Sequence, residues 1–344
     1  MKKLNRALSL STAAALALSL TACSGGTSGT ADTPTANASA STGGSGGTYT
    51  VAVIKQMDHA SLDEIADAIA ARLDEIAAEN GVTIQYEVTS GQGDQTVLRQ
   101  LADQAIADGV DAIIPIATTA AQVAAVSAEE SQTPVVFAAI SYPETADLTG
   151  IDYVTGTSDA LDTDLILDMM LAQNPDLQSV GLLYSLSEPN SEVPIADAKA
   201  YLDEKGIAYT EATANTNDEV IAAASSLIAD GVDAVFTPTD NIIMAAELAI
   251  YEDFINAGIP HYTGADSFVR NGAFATCGVN YTDLGTQTAD LALEVLQTGE
   301  FPEYVTVSGD IITVNTDTAS TLGLDYSLFQ DMGSQVVEVQ TTQD

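Results

Sequence analysis

The side chains able to do chemistry in this 344-residue chain are almost all oxygen-bearing. Histidine occurs only at His59 and His261, cysteine only at Cys23 and Cys277, and tryptophan is absent. The two cysteines stand far apart with no ligands at metal spacing, so neither a disulfide framework nor a zinc site can be built from them. Cys277, in an apolar stretch, reads as an inert core thiol. No Gly-x-Ser-x-Gly elbow, Walker phosphate loop or His-Glu-x-x-His motif occurs. Ser90-Gly-Gln-Gly93 lacks the third glycine and the spacing of a dinucleotide fingerprint. What remains is hydrogen-bonding chemistry, suited to holding a small polar molecule. No metal, cofactor or catalytic residue is expected.

The elements that position these groups alternate. Thr50–Ile54, Thr83–Val88, Ala112–Ile116 and Val135–Ile140 read as strands, separated by helical patterns over Leu62–Glu79, Thr96–Ala107 and Ala120–Glu130. The order then recurs: strands at Ser179–Leu183, Ala208–Glu211, Ala234–Pro238 and His261–Gly264, helices at Pro194–Lys205, Asn217–Ala229 and Ile242–Asn256. Asp108-Gly-Val-Asp-Ala112 returns as Asp230-Gly-Val-Asp-Ala234, an offset of 122, and Pro134 matches Pro260 at 126. Strands alternating with helices imply parallel sheets, and a repeat of this length implies two similar Rossmann-like α/β lobes. A single large doubly wound domain is the competing architecture.

Ligands of such sheets sit beyond the carboxyl ends of the strands. The residues there are polar in both halves: Asp58, His59, Ser90, Gln92, Thr118, Thr119, Ser141 and Tyr142 in the first, and Ser187, Glu188, Asn190, Asn215, Asp240, Asn241, Asp266 and Ser267 in the second. Facing each other across a cleft, they would form one polar pocket. A zwitterion could place its carboxylate on Thr118, Thr119 and Ser141 at helix N-termini, and its ammonium on Asp240 or Asp266. The same residue types are ordinary helix caps, so Thr119 reads equally as a cap. Glu188 and His59 read equally as ligand contacts or as solvated or satisfied polar groups, and His261 reads as structural. Tyr142 and Tyr281 would stack on an apolar ligand or pack a hinge; Asn280, at an expected chain crossing, joins the candidate contacts.

Charge narrows the partners. There are 49 acidic and 9 basic residues, a formal charge of −40. Removing Lys2, Lys3 and Arg6 with the leader lowers it by three, to −43. Phosphate backbones are bound by lysine and arginine, so nucleic acid is excluded as a partner.

The first 22 residues have a basic start and an apolar run from Ala7 to Leu20, the pattern of a signal peptide. Leu20-Thr-Ala-Cys23 resembles the lipobox of bacterial lipoproteins, which implies diacylglycerol on Cys23, an extracytoplasmic place and anchoring to the membrane by lipid. Ser24–Thr48, almost wholly Gly, Ser, Thr and Ala, reads as a flexible leash spanning roughly 25–30 Å.

From Tyr49 to Asn315 the chain resembles the type I solute-binding proteins of ABC importers, specifically the tryptophan/tyrosine-type substrate-binding lipoproteins. The phrases that carry it are Val53-Ile-Lys-Gln-Met-Asp-His59, Ile116-Ala-Thr-Thr-Ala-Ala-Gln122, Val136-Phe-Ala-Ala-Ile-Ser141, Ser187-Glu-Pro-Asn-Ser191, Pro238-Thr-Asp-Asn241 and Leu284-Gly-Thr-Gln-Thr288. The resemblance implies a monomeric, non-enzymatic protein that closes two hinged lobes on a small molecule, an amino acid of aromatic or other kind, and delivers it to a permease and its ATPase. A sensor for a membrane signalling partner, or a binder of another small polar metabolite, are the alternatives. One departure touches the pocket rim: Tyr142-Pro143 stands where similar proteins carry Asp-Pro.

Chain crossings are expected near Tyr153–Asp159, Cys277–Asn280 and Pro302–Ser308. They divide the chain into a signal (1–22), a lipidated linker (23–48), an N-terminal lobe (49–155 plus 279–303), a C-terminal lobe (156–278 plus 304–333) and a tail (334–344).

Overall fold

A computed structural model describes residues 47–342; the leader, Cys23 and all but the end of the leash lie outside the described residues. The alternation read from the sequence becomes β1 (Thr48–Lys55), α1 (Ala60–Asn80), β2 (Thr83–Ser90), α2 (Gln95–Asp108), β3 (Ala112–Ile116), α3 (Thr118–Ala128), β4 (Val135–Phe137) and β5 (Val154–Ser158). It continues through α4 (Thr163–Gln173), β6 (Ser179–Tyr184), α5 (Glu192–Lys205), β7 (Ala208–Thr213), α6 (Asn217–Asp230), β8 (Ala234–Thr237), α7 (Asn241–Ala257) and β9 (His261–Thr263). The last part is α8 (Asp266–Arg270), β10 (Ala275–Gly278), α9 (Tyr281–Thr298), β11 (Val305–Thr306), β12 (Ile311–Asn315), α10 (Thr316–Leu322) and β13 (Gln335–Val339).

Two sheets result. The first has the order β11-β5-β4-β3-β1-β2 and is parallel throughout; the second runs β13-β12-β10-β9-β8-β6-β7, with β12 antiparallel to β10. β3 is buried along its whole length, as a central strand covered on both faces must be, while the edge strand β2 alternates.

The repeated phrase does the same structural work in both sheets. Gly109 and Gly231 end α2 and α6 at φ 76° and 68°, left-handed conformations that cost glycine little. Two residues on, the Asp111 carboxylate accepts from the Thr50 N–H of β1 at 2.7 Å, and Asp233 accepts from the Ser179 N–H of β6 at 2.9 Å. Ala112 and Ala234 then open β3 and β8. Each copy thus stops a helix, pins a neighbouring strand and starts the next one.

The polypeptide crosses between the sheets at 159–162, 279–280 and 307–310. The first and third crossings lie later than the residue pattern suggested, because β5 extends to Ser158 and pairs with β11 on the edge of the first sheet. Residues 335–339, within the expected tail, form β13 and pair in parallel with β12. Returning to the first half, α9 lies against α1. A Cβ on Gly285 would stand 2.7 Å from the Ala68 Cβ and the Ile65 carbonyl, so glycine is what allows the two helices to approach. No helix among the described residues is long and apolar enough to cross a membrane.

Candidate functional site

The carboxyl ends of β1, β3, β4, β8 and β9 converge on a small cavity of about 20 Å³ between the two sheets. That is little more than the roughly 10–15 Å³ a single water needs, so the two halves are drawn tightly together here. His59, Ser61, Leu62, Ala117, Thr118, Ala139, Ser141, Asp159 and Tyr281 line it from the first-sheet side and the crossings; Asn190, Thr239, Asp240, Asn241, Met244, Ala265 and Phe268 line it from the second.

Its walls carry strain. Ala117 and Ala139, at the ends of β3 and β4, have φ of 76° and 57°, a region alanine rarely occupies. Such conformations cost free energy and concentrate at functional sites. Here they turn the chain sharply into the α3 N-terminus and towards Ser141.

Asp159 is part of the lining. Its Oδ1 accepts from the Ser141 hydroxyl at 2.8 Å and its Oδ2 from the Tyr281 hydroxyl at 3.1 Å. Burial raises the Asp159 pKa against the lowering effect of those two donors, so the site favours a cation that would stabilise the anion. Leu62, Met244 and Phe268 give the cavity an apolar wall.

Both halves are already bonded across the cleft. Gln56 Nε2 donates to Glu188 Oε1 at 2.7 Å, His59 Nε2 meets Asn241 Oδ1 at 3.0 Å, and the Ser61 and Ser267 hydroxyls meet at 2.5 Å. Ser141 also reaches Thr239 at 3.2 Å. At the rim Arg270 of α8 bridges Glu64 of α1 and Asp266.

Of the residues selected from sequence, His59, Thr118, Ser141, Asn190, Asp240, Asn241 and Tyr281 line the cavity. Asp240 does so with a carboxylate already committed. Oδ1 caps α7 through the N–H groups of Ile242 and Ile243, and Oδ2 accepts from the Ser185 N–H and the Ser191 hydroxyl. Asp240 thus accepts four hydrogen bonds, whereas Asp159 accepts two. Asn190 donates to the Thr239 carbonyl and keeps its Oδ1 without a partner among the described residues.

The other selected residues stand outside the lining. Thr119 gives its N–H to Gln56 Oε1 at 3.1 Å, and Glu188 is buried behind the wall, its pKa pushed up to about 8 by burial and then by Asp240. Ser267 touches the cavity region only through Ser61 and Met244. Asp266 belongs to the rim pair with Arg270, its pKa raised to about 6 by burial. Asp58 pairs with Lys55, Gln92 and Ser187 are exposed, Tyr142 bonds the Leu161 carbonyl, and Asn280 caps α9. His261 is structural, held by Glu247 and Thr237.

Asp159, Gln56, Thr239, Met244 and Phe268 were not singled out by sequence reasoning. A signal for Asp159 did exist: it follows the β-branched run Val154–Ser158, so it too stands at a strand's carboxyl end.

Residues 50–327 match the family of ABC transporter substrate binding proteins, and the chain belongs to that family, whose members bind rather than transform their ligands. It is 28% identical over 282 residues to a tyrosine-binding protein of Clostridioides difficile (strain R20291), covering 80% of this chain and 81% of that one. Among solved structures it resembles an ABC domain in complex with L-Trp from Streptococcus pneumonia, at 27% identity and a TM-score of 0.76, covering 84% of this chain and all of that one. It also resembles a ligand-free, open substrate binding protein with adhesive properties from Clostridium difficile, at 25% identity and a TM-score of 0.64, covering 86% and 100%.

Proposed function

We propose that this chain captures an aromatic amino acid between its two sheet-centred lobes and presents it to the permease and ATPase of an importer. The observation that carries this reading is Asp159, a buried carboxylate bonded to Ser141 and Tyr281 in the lining of a cavity that also takes in Leu62, Met244 and Phe268. A lining that combines an anion with apolar side chains suits an ammonium and an aromatic side chain. Thr118, with the α3 N-terminus behind it, would receive the carboxylate. The relatives whose names speak of tyrosine and L-Trp support the same class.

The lobes would correspond to the two sheets with their helices and close on ligand about the three crossings, since only the closed arrangement makes every contact. Likeness is greater to the L-Trp complex than to the open ligand-free protein, 0.76 against 0.64 in TM-score at similar identity, which supports a closed arrangement. Leu20-Thr-Ala-Cys23 supports anchoring of the chain at the outer membrane face through lipid on Cys23.

Titration calorimetry with the common amino acids tests the reading. Tyrosine or tryptophan is expected to bind well ahead of aspartate, lysine and glycine; saturable binding of a sugar with none by any amino acid would overturn it.

A further inference from the structure

Behind the cavity wall runs an unbroken chain of hydrogen bonds that crosses the cleft twice. The Thr119 N–H donates to Gln56 Oε1 at 3.1 Å, and Gln56 Nε2 donates to Glu188 Oε1 at 2.7 Å. Glu188 Oε2 meets Asn241 at 2.5 Å, and the other end of the Asn241 amide meets His59 Nε2 at 3.0 Å. His59 lines the cavity, and its second ring nitrogen, Nδ1, is buried with no hydrogen-bond partner among the described residues.

The donors and acceptors along this chain are not free to choose. A backbone N–H only donates, so Gln56 must turn its oxygen to Thr119 and its nitrogen to Glu188, and Glu188 Oε1 is always an acceptor. Glu188 Oε2 has two options. As part of a carboxylate it accepts from Asn241 Nδ2; Asn241 Oδ1 then requires a proton on His59 Nε2, and Nδ1 is a bare acceptor. When Oε2 carries a proton it donates to Asn241, whose amide flips by half a turn and gives an N–H to His59 Nε2. The single imidazole proton then sits on Nδ1, which becomes a donor. Burial holds the His59 pKa near 4, against the raising effect of Asn241, so the ring is neutral and carries one proton.

We propose that His59 Nδ1 is the polar contact for the ligand's side chain, and that Glu188, acting through Asn241 as a positioning residue, sets whether that nitrogen donates or accepts. The ligand half of this rests on the aromatic amino acid reading. A phenol hydroxyl both donates and accepts, so it satisfies Nδ1 in either state. An indole N–H only donates and fits only when Glu188 is ionised. A phenyl ring offers neither and leaves a buried nitrogen unpaired, a mismatch that binding sites penalise strongly.

Few charges disturb the relay. Asp240 is the charged group facing Glu188; with burial it pushes the Glu188 pKa up to about 8, so the transition falls in an accessible range. Around His59 lie Asp58, Asp63 and Lys55, charges of both signs.

Nitrogen NMR of histidine-labelled protein tests this directly, because only His59 and His261 contribute and His261 is bonded on both nitrogens. In ligand-free wild-type protein, His59 is expected to carry its proton on Nδ1 at about pH 6 and on Nε2 at about pH 9.5, following ionisation of Glu188. In Glu188→Gln the new amide accepts from Gln56 and donates to Asn241, so Nδ1 stays protonated throughout. In parallel calorimetry the tryptophan-to-tyrosine affinity ratio should rise about tenfold over the same interval in wild type and stay flat in the variant. A single His59 tautomer across the range in wild-type protein overturns the relay, whether or not the variant folds. A titrating tautomer with a constant affinity ratio overturns the ligand contact alone. Absence of binding by either amino acid, with the tautomer still titrating, overturns the aromatic amino acid reading and leaves the relay standing.

Discussion

Tyr281 donates its hydroxyl to Asp159 Oδ2 at 3.1 Å, joining the first crossing between the sheets to the residue immediately after the second. The carboxylate proposed for the ammonium group is therefore part of the segment about which the halves would turn. A cation seated there would bind the hinge itself, coupling occupancy to closure without a separate transmission device.

Substituting Asp159 with Asn should lower affinity for an amino acid at least 30-fold, about 2 kcal/mol for a charge-assisted bond, with little loss for the matching analogue that lacks the amine. Tyr281→Phe should cost less, some 3- to 10-fold. Because burial raises the Asp159 pKa, affinity should also fall as pH drops through that raised range, where the site protonates before ligand can pair with it. Calorimetry between pH 4 and 7 measures all three.

Asp240→Ala should act on stability. The side chain caps α7 and satisfies Ser185 and Ser191 in a fully buried position, so its loss removes a cap and strands buried donors. About 2–4 kcal/mol should disappear from the unfolding free energy in urea melts, with affinity of the folded fraction changed only a few-fold.

Arg270→Ala should weaken binding about 3- to 10-fold at low salt and less at 0.5 M, because the Glu64–Arg270 pair crosses the partly exposed rim and its worth is screened. Dissociation should quicken more than association slows. Stopped-flow fluorescence at two ionic strengths separates the two.

Thermal stability should decline from pH 5 to pH 9. The Glu188 pKa is raised in the folded protein to about 8 from an ordinary 4.5, so the stability it contributes is complete below 4.5 and is lost as pH rises through 8. Asp266, raised to about 6, adds the same sign at lower pH. Glu188→Gln should flatten the upper part of the profile in differential scanning fluorimetry.

Much of the fold was legible because the repeat is written in residues with structural duties. Asp111 and Asp233 pin the neighbouring strands, and the glycines before them stop helices, so both copies announce themselves. β5 and β10–β13 were harder: they flank the chain crossings and lie outside the stretch in which the repeated residues are visible, although β5 and β10 hold equivalent places in the two sheets. In the site, Ser141 and Thr118 follow strands visible in the sequence, whereas Asp159 follows one that was not. Asp240 shows a further limit, since a cap and a ligand contact demand the same residue type at the same place. Only the count of bonds already made separates them.

The three crossings also govern how the molecule can come into being. The first sheet cannot gain α9 or β11 before residues 298 and 306 exist, and the second cannot gain its edge before 339. The first half is therefore unfinished on a growing chain until residue 306 and the second until 339, and a fragment cut at either of the first two crossings would lack members of both. Assembly of the body should accordingly be a late and cooperative event, with no stable half-molecule along the way.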